Sequence, residues 1–461
     1  MSITLKDKRN LRSGGIWAFS GKFFTSFMTL AINAILARML AAEDLGVYFL
    51  AFNIAMFGAY IGTIGFDQTV IRFVADSIGR NELKNVYYII RISMIATTIG
   101  AVTAGVIYFY SSDWIALTVF QSGRLSSISI VVTFWIVANS FQILLGETFR
   151  GFQDIRYASI FGGVLSTAVF SLSLVVFSLS GILLTLKLTI LIWILSLAVS
   201  NIMGLMTLTR KVRLLMKGVD MTRKRTLHIQ KIFSTTIPLM VITVSFYLLS
   251  QCDLWIISGV GNDEDVAVYG AAAKLTMLIS MPVLIINSVV SPMIAEKYAQ
   301  GELKGIERTL RTIATLAFIP TLAIFLLFIF LGDLILSYVF GSSLYGSGAL
   351  ILLILSLKQL IGVWSGATGT VLTMAGKQKH MMRNTLWTGL FSIILSLILG
   401  RFYSGVGVAL GFLIPSLISQ IILMITTSRS LNVRAYGDIF GTIQFLKERV
   451  EKNKASKKLM L

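Results

Sequence analysis

The amino-acid sequence predicts an all-α, polytopic membrane protein with about twelve transmembrane helices. About twelve apolar stretches are each long enough to cross a bilayer, and short charged turns separate them. The mean hydropathy of the 461 residues is +0.82, with 56% hydrophobic and 13% charged residues. Because a backbone in lipid must satisfy its own polar groups, repeated apolar stretches of this length indicate helices.

The predicted spans follow one another closely, apart from one long basic connection at 209–232. The first span follows basic residues and is too long for the apolar core of a signal peptide. The turn around Gly181 is tight, and the tenth span is long enough to be tilted or broken. The spans lie at residues 14–37, 45–68, 86–110, 125–147, 157–179, 182–208, 233–258, 266–292, 309–331, 346–374, 384–400 and 405–428.

The rare cysteine and histidine residues exclude several kinds of site. Cys252 is the single cysteine, which rules out an intrachain disulfide and a thiolate metal cluster, and it lies inside an apolar helix. His228 and His380 fall in predicted loops. No histidine is therefore expected to bind a metal or relay protons inside the membrane.

The distribution of charge predicts the orientation of the spans. The net charge is +19, from 40 lysines and arginines against 21 aspartates and glutamates. Most cations fall in loops on the side of the two termini, and the opposite loops hold only Arg38, Arg124, Lys187 and Arg401. The positive-inside rule therefore places both termini in the cytoplasm. Since topology explains most of the basic excess, we expect no nucleic-acid partner.

The two halves of the chain contain similar short segments. Three pairs match at nearly constant separation, namely 44–51 with 265–272, 82–84 with 302–304, and 151–153 with 376–378. Six spans in each half make the repeats parallel, an architecture of alternating-access transporters with the site between the halves. The predicted organisation is a six-helix bundle at 1–208, a basic cytoplasmic linker at 209–232, a second bundle at 233–429 and a basic cytoplasmic tail at 430–461. Because each chain holds both halves, we expect a monomer.

Polar residues recur at helical spacing on matched spans of the two halves. The stripes on the first, fourth, seventh and tenth spans fit either a wet cavity or helix packing by small polar residues. Charged groups within spans are costly and usually face a cavity or a partner. The predicted substrate-cavity residues are Lys22, Asn33, Asn139, Tyr247, Gln251, Asp253, Lys274 and Lys358.

Three of the intramembrane charges have alternative interpretations. Lys358 lies near the middle of its span and is the strongest single candidate, although a structural ion pair is the other interpretation. Lys22 lies nearer the cytoplasmic end and either faces a cavity or extends to the interface. Asp253 and Lys274 lie in the outer part of the second half, where they either bind a ligand or pair with each other.

A second group of charges is predicted to act in gating or coupling. Arg91 lies one turn into its span, where it is either a functional group or an interfacial anchor. Asp67 with Arg72, and Glu147 with Arg150, lie near the predicted cytoplasmic ends of spans. For these two pairs we expect structural pairing or gating rather than substrate contact.

The sequence lacks the motifs of energy-coupled and catalytic domains. It contains no P-loop, no HExxH and no Gly-rich dinucleotide loop on a strand, and the loops are too short for a catalytic domain. The chain is therefore predicted not to be an enzyme and to have no cofactor. Transport would then depend on the substrate's own gradient or on a coupling ion, either Na⁺ or H⁺.

Several loop sequences resemble a known family. Segments 36–40 and 43–48, Gly65 followed by 71–75, 150–153, and Phe340-Gly341 are similar to the loop patterns of the polysaccharide transporter family, the Wzx-type oligosaccharide flippases of the multidrug/oligosaccharidyl-lipid/polysaccharide (MOP) exporter superfamily. The resemblance covers essentially the whole chain in length, span number and loop placement.

This resemblance implies two six-helix bundles around a central cavity in the cytoplasmic (inner) membrane. It implies flipping of polyprenyl-diphosphate-linked sugar units for surface polysaccharide such as the O-antigen of lipopolysaccharide. Lys22, Lys358 and Lys274 would meet the diphosphate or acidic sugars, and Asp253 would bind a sugar hydroxyl or a coupling ion. The implied partners are the lipid-linked oligosaccharide, membrane lipids, a polysaccharide polymerase and glycosyltransferases.

Three competing hypotheses remain open. A cation-coupled multidrug exporter of the related twelve-helix class is the main alternative. That class tends to place acidic residues in its N-terminal lobe, whereas here Asp67 and Glu147 lie near a membrane end and the mid-membrane residue is a lysine. A lipid II flippase usually has two further C-terminal helices, for which the tail has no room. A scaffold without transport activity would not need polar stripes within its spans.

Overall fold

A computed structural model describes residues 5–181, 184–217, 229–299, 303–375, 377–442 and 444. Over these residues the chain is helical and contains no strand. π-helical turns continue two of the helices, at Ile115–Val119 and Ile160–Val164. The α-helices are α1 Leu5–Met39, α2 Ala42–Gly62, α3 Phe66–Gly79, α4 Leu83–Trp114, α5 Gly123–Ser127, α6 Ser129–Gly151, α7 Ile155–Ser159, α8 Leu165–Leu179, α9 Leu186–Leu215, α10 Ile229–Val260, α11 Asp263–Ala299, α12 Leu303–Phe340, α13 Ser343–Gly346, α14 Ala349–Ser365, α15 Thr368–Met374 and α16 Gln378–Leu431.

The predicted number of spans is confirmed. Eight helical segments of the described chain are long and apolar enough to cross a membrane by length and composition. Two shorter apolar segments, Phe23–Met39 and Ala349–Ser365, lie at the first and tenth predicted spans. α11 covers the eighth predicted span, and α16 covers the last two with a break at Tyr403 and Ser404. The protein is therefore an all-α, multi-pass membrane protein.

Backbone breaks occur where the hydropathy pattern runs on without interruption. α2 ends at Gly62, so the predicted second span extends too far, and α3 starts as a separate helix after Gly65. Gly65 has φ of 79°, a left-handed conformation that glycine adopts at low cost. The tenth predicted span is broken rather than only tilted, because Gly366, with φ of 61°, separates α14 from α15.

The contacts divide the chain into two units, an N-terminal unit of Met1–Ala267 and a C-terminal unit of Val268–Leu461. α10 belongs to the N-terminal unit because it packs against α2 and α3. The division therefore lies within α11, later than the basic connection at 209–232. The internal boundary between the two bundles predicted from the repeat stays a prediction.

In the N-terminal unit α6 is the central helix, and it packs against α2, α3, α4 and α9. Its Trp135 is fully buried, with its ring 5.8 Å from the rings of both Tyr48 and Phe52. Near the other end of α6, Phe149 lies in an apolar core shared with Phe66 of α3 and Phe161 of the π-helical turn. This packing holds α6, and the polar residues that α6 carries, in a fixed position within the unit.

The C-terminal unit is organised around α12, α14 and α16, with α12 and α16 each packing against α14. The chain that follows α16 returns to this helical core, and Val433 and Ala435 are fully buried. Asp438 donates its backbone N–H to Thr315 Oγ1 (2.7 Å), and its carboxylate lies 2.9 Å from Arg311 Nη2. The first part of the predicted basic tail is therefore an ordered, packed segment.

The structure tests the predictions for cysteine and histidine in the described residues. Cys252 is buried in α10, which confirms its place inside an apolar helix. The loop prediction for His380 is wrong, because α16 already begins at Gln378 and includes it. Lys377, the residue before Gln378, caps this helix without a side-chain hydrogen bond, so no capping signal marked its start. His228 lies outside the described residues.

Candidate functional site

A polar cavity of about 630 Å³ lies within the N-terminal unit. Its wall is built from α1, α2, α3, α6, α7, the π-helical turn that follows, and α10. Gly146 of α6 and Gly162 of the π-helical turn also line it, and a Cβ atom added to Gly146 would lie 2.8 Å from Gly162 Cα, so these glycines allow the two elements to approach closely. The polar and charged side chains along the wall are Thr25, Tyr60, Asp67, Gln68, Gln142, Glu147, Arg150, Ser159 and Thr243.

Asp67 is the most deeply placed charge in this cavity. It lies in the first turn of α3 and is 1% exposed. Thr63 Oγ1 donates to its Oδ1 (3.3 Å), and Gln68 Nε2 donates to its Oδ2 (3.2 Å). A carboxylate is favoured near a helix N-terminus, so the left-handed turn at Gly65 both starts α3 and places this charge.

Glu147 on α6 provides the second carboxylate of the cavity. Arg150 Nη1 lies 2.7 Å from both carboxylate oxygens of Glu147, one turn along the same helix. The Arg150 side chain is 57% exposed, whereas that of Glu147 is 18% exposed. Among the described residues, the charged groups that line the cavity are therefore two carboxylates and one guanidinium.

The structure separates the two pairs that were expected near the ends of spans. Glu147 and Arg150 form the expected ion pair. Among the described residues, Asp67 is hydrogen-bonded to Thr63 and Gln68 rather than paired with Arg72, which is exposed on α3. Arg91 is likewise exposed on α4. Arg72 and Arg91 do not line the cavity.

Other predicted cavity residues of the N-terminal unit make local contacts. Asn33 is buried, and its Nδ2 donates to the Thr29 carbonyl oxygen (2.7 Å) one turn earlier. Asn139 is buried on α6, and its Nδ2 has no hydrogen-bond partner among the described residues. Lys22 lies on α1, and its side chain is outside the described part of the structure.

The α10 face combines a hydrogen bond with aromatic packing. Tyr247 Oη lies 3.0 Å from Asn53 Oδ1 and 3.2 Å from the Asn53 carbonyl oxygen, and its ring packs on Phe57 and Tyr60. Gln251 and Asp253 are half-buried further along α10. Tyr247 therefore ties α10 to α2 beside the cavity.

In the C-terminal unit Lys358 lies on α14 and is half-buried. Its Nζ is 5.3 Å from the centre of the Phe412 ring, a cation–π contact. Among the described residues, no carboxylate lies within 4.0 Å of this ammonium group. Lys274 is half-buried on α11. The contact described for the Lys358 ammonium group is therefore the one with the Phe412 ring.

Several residues of the N-terminal cavity were absent from the sequence-based candidates. Met56 and Tyr60 lie four residues apart on one face of α2, and the helical period is the signal that could have identified them. Gln142 lies on the fourth predicted span, which has one of the polar stripes, and its Nε2 donates to Ser166 Oγ in the structure. The convergence of α3 and α6 on one cavity has no local sequence signal.

The described helices define a multi-pass membrane protein, and its fold is that of solved transporters of the MOP superfamily. The protein is similar to an inward-facing multidrug resistance MATE family transporter of that superfamily, with TM-score 0.71, 16% identity, and 91% and 98% of the two chains covered. A MOP superfamily transporter from Pyrococcus furiosus has TM-score 0.65, 16% identity, and coverage of 92% and 96%. The lipid II flippase MurJ, inward closed, has TM-score 0.64, 16% identity, and coverage of 92% and 89%.

The family itself follows from the amino-acid sequence. The model of the family described as "Polysaccharide biosynthesis protein" matches residues 11–297, and the MatE model matches residues 238–398. Comparison with curated protein sequences gives no significant match. The chain belongs to the polysaccharide biosynthesis family, the polysaccharide transporter branch of the MOP superfamily, which confirms the resemblance found in its loops.

Proposed function

We propose that this protein flips polyprenyl-diphosphate-linked oligosaccharide units across the cytoplasmic membrane by alternating access, for surface polysaccharide synthesis. Membership of the polysaccharide biosynthesis family supports this proposal. The observation that carries it is Lys358, a half-buried cation on an apolar helix with no carboxylate within 4.0 Å among the described residues. The cost of placing an unpaired charge there is offset if a substrate anion visits it.

Lys358 is suited to the diphosphate of such a substrate. A lysine ammonium is a compact charge that binds phosphate oxygens from several directions. The Phe412 ring holds the ammonium group through its electron-rich face without neutralising it. In this proposal Lys358 binds the diphosphate transiently, and Lys22 and Lys274 contribute further positive charge.

The N-terminal cavity would supply the coupling to an ion gradient. Asp67 and Glu147 line one cavity, and a carboxylate binds either H⁺ or Na⁺. Arg150 pairs with the Glu147 carboxylate when no ion is present. Protonation of that carboxylate, or Na⁺ binding to it, would therefore release the Arg150 guanidinium. The cavity changes its charge in this way without any cofactor. We propose the same orientation as the loops predict, with both termini in the cytoplasm.

A deletion strain complemented with variants tests the proposal. Lys358→Met keeps the apolar stem over Phe412 and removes the charge, so surface polysaccharide should be lost and lipid-linked intermediates should accumulate on the cytoplasmic side. Lys187→Met is the matched control, because Lys187 is exposed just inside α9. Normal surface polysaccharide with Lys358→Met, at normal membrane levels of the protein, would contradict the role of Lys358.

The coupling role is tested separately. Glu147→Gln and Asp67→Asn should reduce export and remove its dependence on the ion gradient. Asp76→Asn is the control, since Asp76 forms an exposed ion pair with Arg80 on α3. Export that keeps the same gradient dependence in the Glu147 and Asp67 variants would assign these carboxylates to structure alone.

A multidrug exporter is the second candidate. The observation in its favour is the acidic character of the N-terminal cavity, whose volume of about 630 Å³ accommodates a small organic cation. The same deletion strain separates the candidates. Unchanged surface polysaccharide with increased sensitivity to cationic drugs, restored by wild type and not by Asp67→Asn, would favour the exporter.

A further inference from the structure

A second cavity lies in the C-terminal unit, between the two halves of α16, and it contains none of the residues proposed for transport or coupling. Its volume is about 610 Å³. One wall comes from the first half of α16, including Arg383, Trp387 and Phe391, and the other from the second half, including Ile418 and Ile422. We call this cavity the α16 groove. Both halves belong to the last two predicted spans, so the groove lies at membrane depth.

The groove has its polar groups at one end and apolar walls along the rest. His380 and Arg383 lie in the first turns of α16, and Asn384 Nδ2 donates to Ser419 Oγ (2.6 Å) just beyond them. From Arg383 to Ile394 the helix rises about 16 Å, roughly half of the hydrocarbon core of a bilayer. The groove therefore has the depth of one leaflet, with its charge at the level of the head groups.

Arg383 is available to bind an anion. Its side chain is exposed, and among the described residues no carboxylate lies within 4.0 Å of it. A guanidinium presents a fixed fork of donors that matches phosphate oxygens, and basic pockets between transmembrane helices bind anionic head groups. Trp387 and Phe391 are each 56% exposed directly below it, so the apolar wall is open to a lipid chain.

We propose that the α16 groove binds one anionic phospholipid, with its phosphate on Arg383 and an acyl chain along the apolar wall. In the predicted orientation this lipid belongs to the cytoplasmic leaflet. A single guanidinium matches one phosphodiester better than a diphosphate, and a wall of one leaflet's depth matches an acyl chain better than a long polyprenyl chain. The inference does not depend on which substrate the protein transports.

The test uses the full-length protein in detergent, with dioleoyl phosphatidylglycerol and dioleoyl phosphatidylcholine as probes and native mass spectrometry as the readout. Wild type should retain one phosphatidylglycerol about tenfold better than phosphatidylcholine, because both lipids offer a phosphate to Arg383 but the choline ammonium of phosphatidylcholine offsets the attraction. Arg383→Gln should remove this preference. Arg401→Gln, an exposed cation further along α16, should keep it. Equal retention of the two lipids, or equal loss in both variants, would overturn the proposal.

A second measurement locates the acyl chain and does not require a variant that binds less lipid. Phosphatidylglycerol with brominated chains should quench the fluorescence component of Trp387, defined as the difference between wild type and Trp387→Phe. Absence of that quenching would overturn the proposal, as would displacement of the lipid by inorganic phosphate alone. Displacement of phosphatidylglycerol by an equimolar polyprenyl diphosphate would assign the groove to the carrier lipid instead, against our choice of occupant.

Discussion

Substitution of Gly65 by alanine tests whether the turn between α2 and α3 fixes the N-terminal cavity. Gly65 has φ of 79°, a conformation that costs about 1–2 kcal/mol for a residue with a Cβ atom. The added Cβ would also meet the backbone of α10, at the Thr236 carbonyl oxygen and at 2.7 Å from the Met240 nitrogen. Backbone atoms cannot rotate away, so α10 or α3 must shift.

The two effects add to a substantial loss of stability. Overpacking of this kind costs about 1–3 kcal/mol. Together with the left-handed strain we expect Gly65→Ala to lower the free energy of unfolding by about 3 kcal/mol, roughly a hundredfold in the ratio of folded to unfolded protein. Asp67, two residues further on, should lose its place in the cavity, so export should fall as well.

The assay is thermal unfolding in detergent, alongside export in the deletion strain. Gly79→Ala is the matched control, because Gly79 also lies on α3 but a Cβ atom added there would meet no neighbouring atom within 4 Å. This control should be neutral or stabilising by up to about 1 kcal/mol, since alanine favours a helix more than glycine does. Equal unfolding temperatures for the two variants would refute the reasoning.

Three further outcomes follow from the structure. Trp135→Ala should destabilise the N-terminal unit by about 3 kcal/mol or more in thermal unfolding, whereas Trp114→Ala, at a side chain 64% exposed, should change stability little. Asp438→Asn should cost about 1–2 kcal/mol and expose the segment after α16 to limited proteolysis, whereas Asp333→Asn should leave the digestion pattern unchanged. Burial raises the pKa of Asp263, which lies just before the eighth predicted span. The folded state therefore binds more protons than the unfolded state, and the free energy of unfolding should fall as pH rises through that pKa. Asp263→Asn should flatten this part of the plot of unfolding temperature against pH, and an unchanged plot would contradict the assignment.

The number and type of helices were predictable because lipid imposes a simple requirement on each segment. A segment that crosses the membrane must be long, apolar and internally hydrogen-bonded, and each of these properties can be seen in a short window of sequence. The breaks at Gly65 and Gly366 were harder to predict from the sequence. Each depends on a close approach of another part of the chain, the α10 backbone at Gly65 and Ala435 at Gly366, which hydropathy does not record.

The two candidate sites differ in how far the sequence predicts them, because tertiary contacts leave no local pattern in the sequence. Lys358 could be singled out from the sequence, because a charge in an apolar helix is conspicuous by itself. The N-terminal cavity could not, since Asp67 and Glu147 lie near the ends of two different predicted spans and no local pattern connects them. Their shared cavity results from the packing of α3 against α6, a tertiary contact. The same limit applies to Arg124, whose partners Glu43 and Asp44 lie far away in sequence.

The ordered segment after α16 has a consequence for biogenesis. Val433 and Ala435 complete a core with Leu310 and Val371, yet they are synthesised after every helix that they cover. During synthesis that apolar surface therefore stays uncovered until both halves of α16 and the residues after them have been made. The core of the C-terminal unit is therefore completed only after α16 has been synthesised.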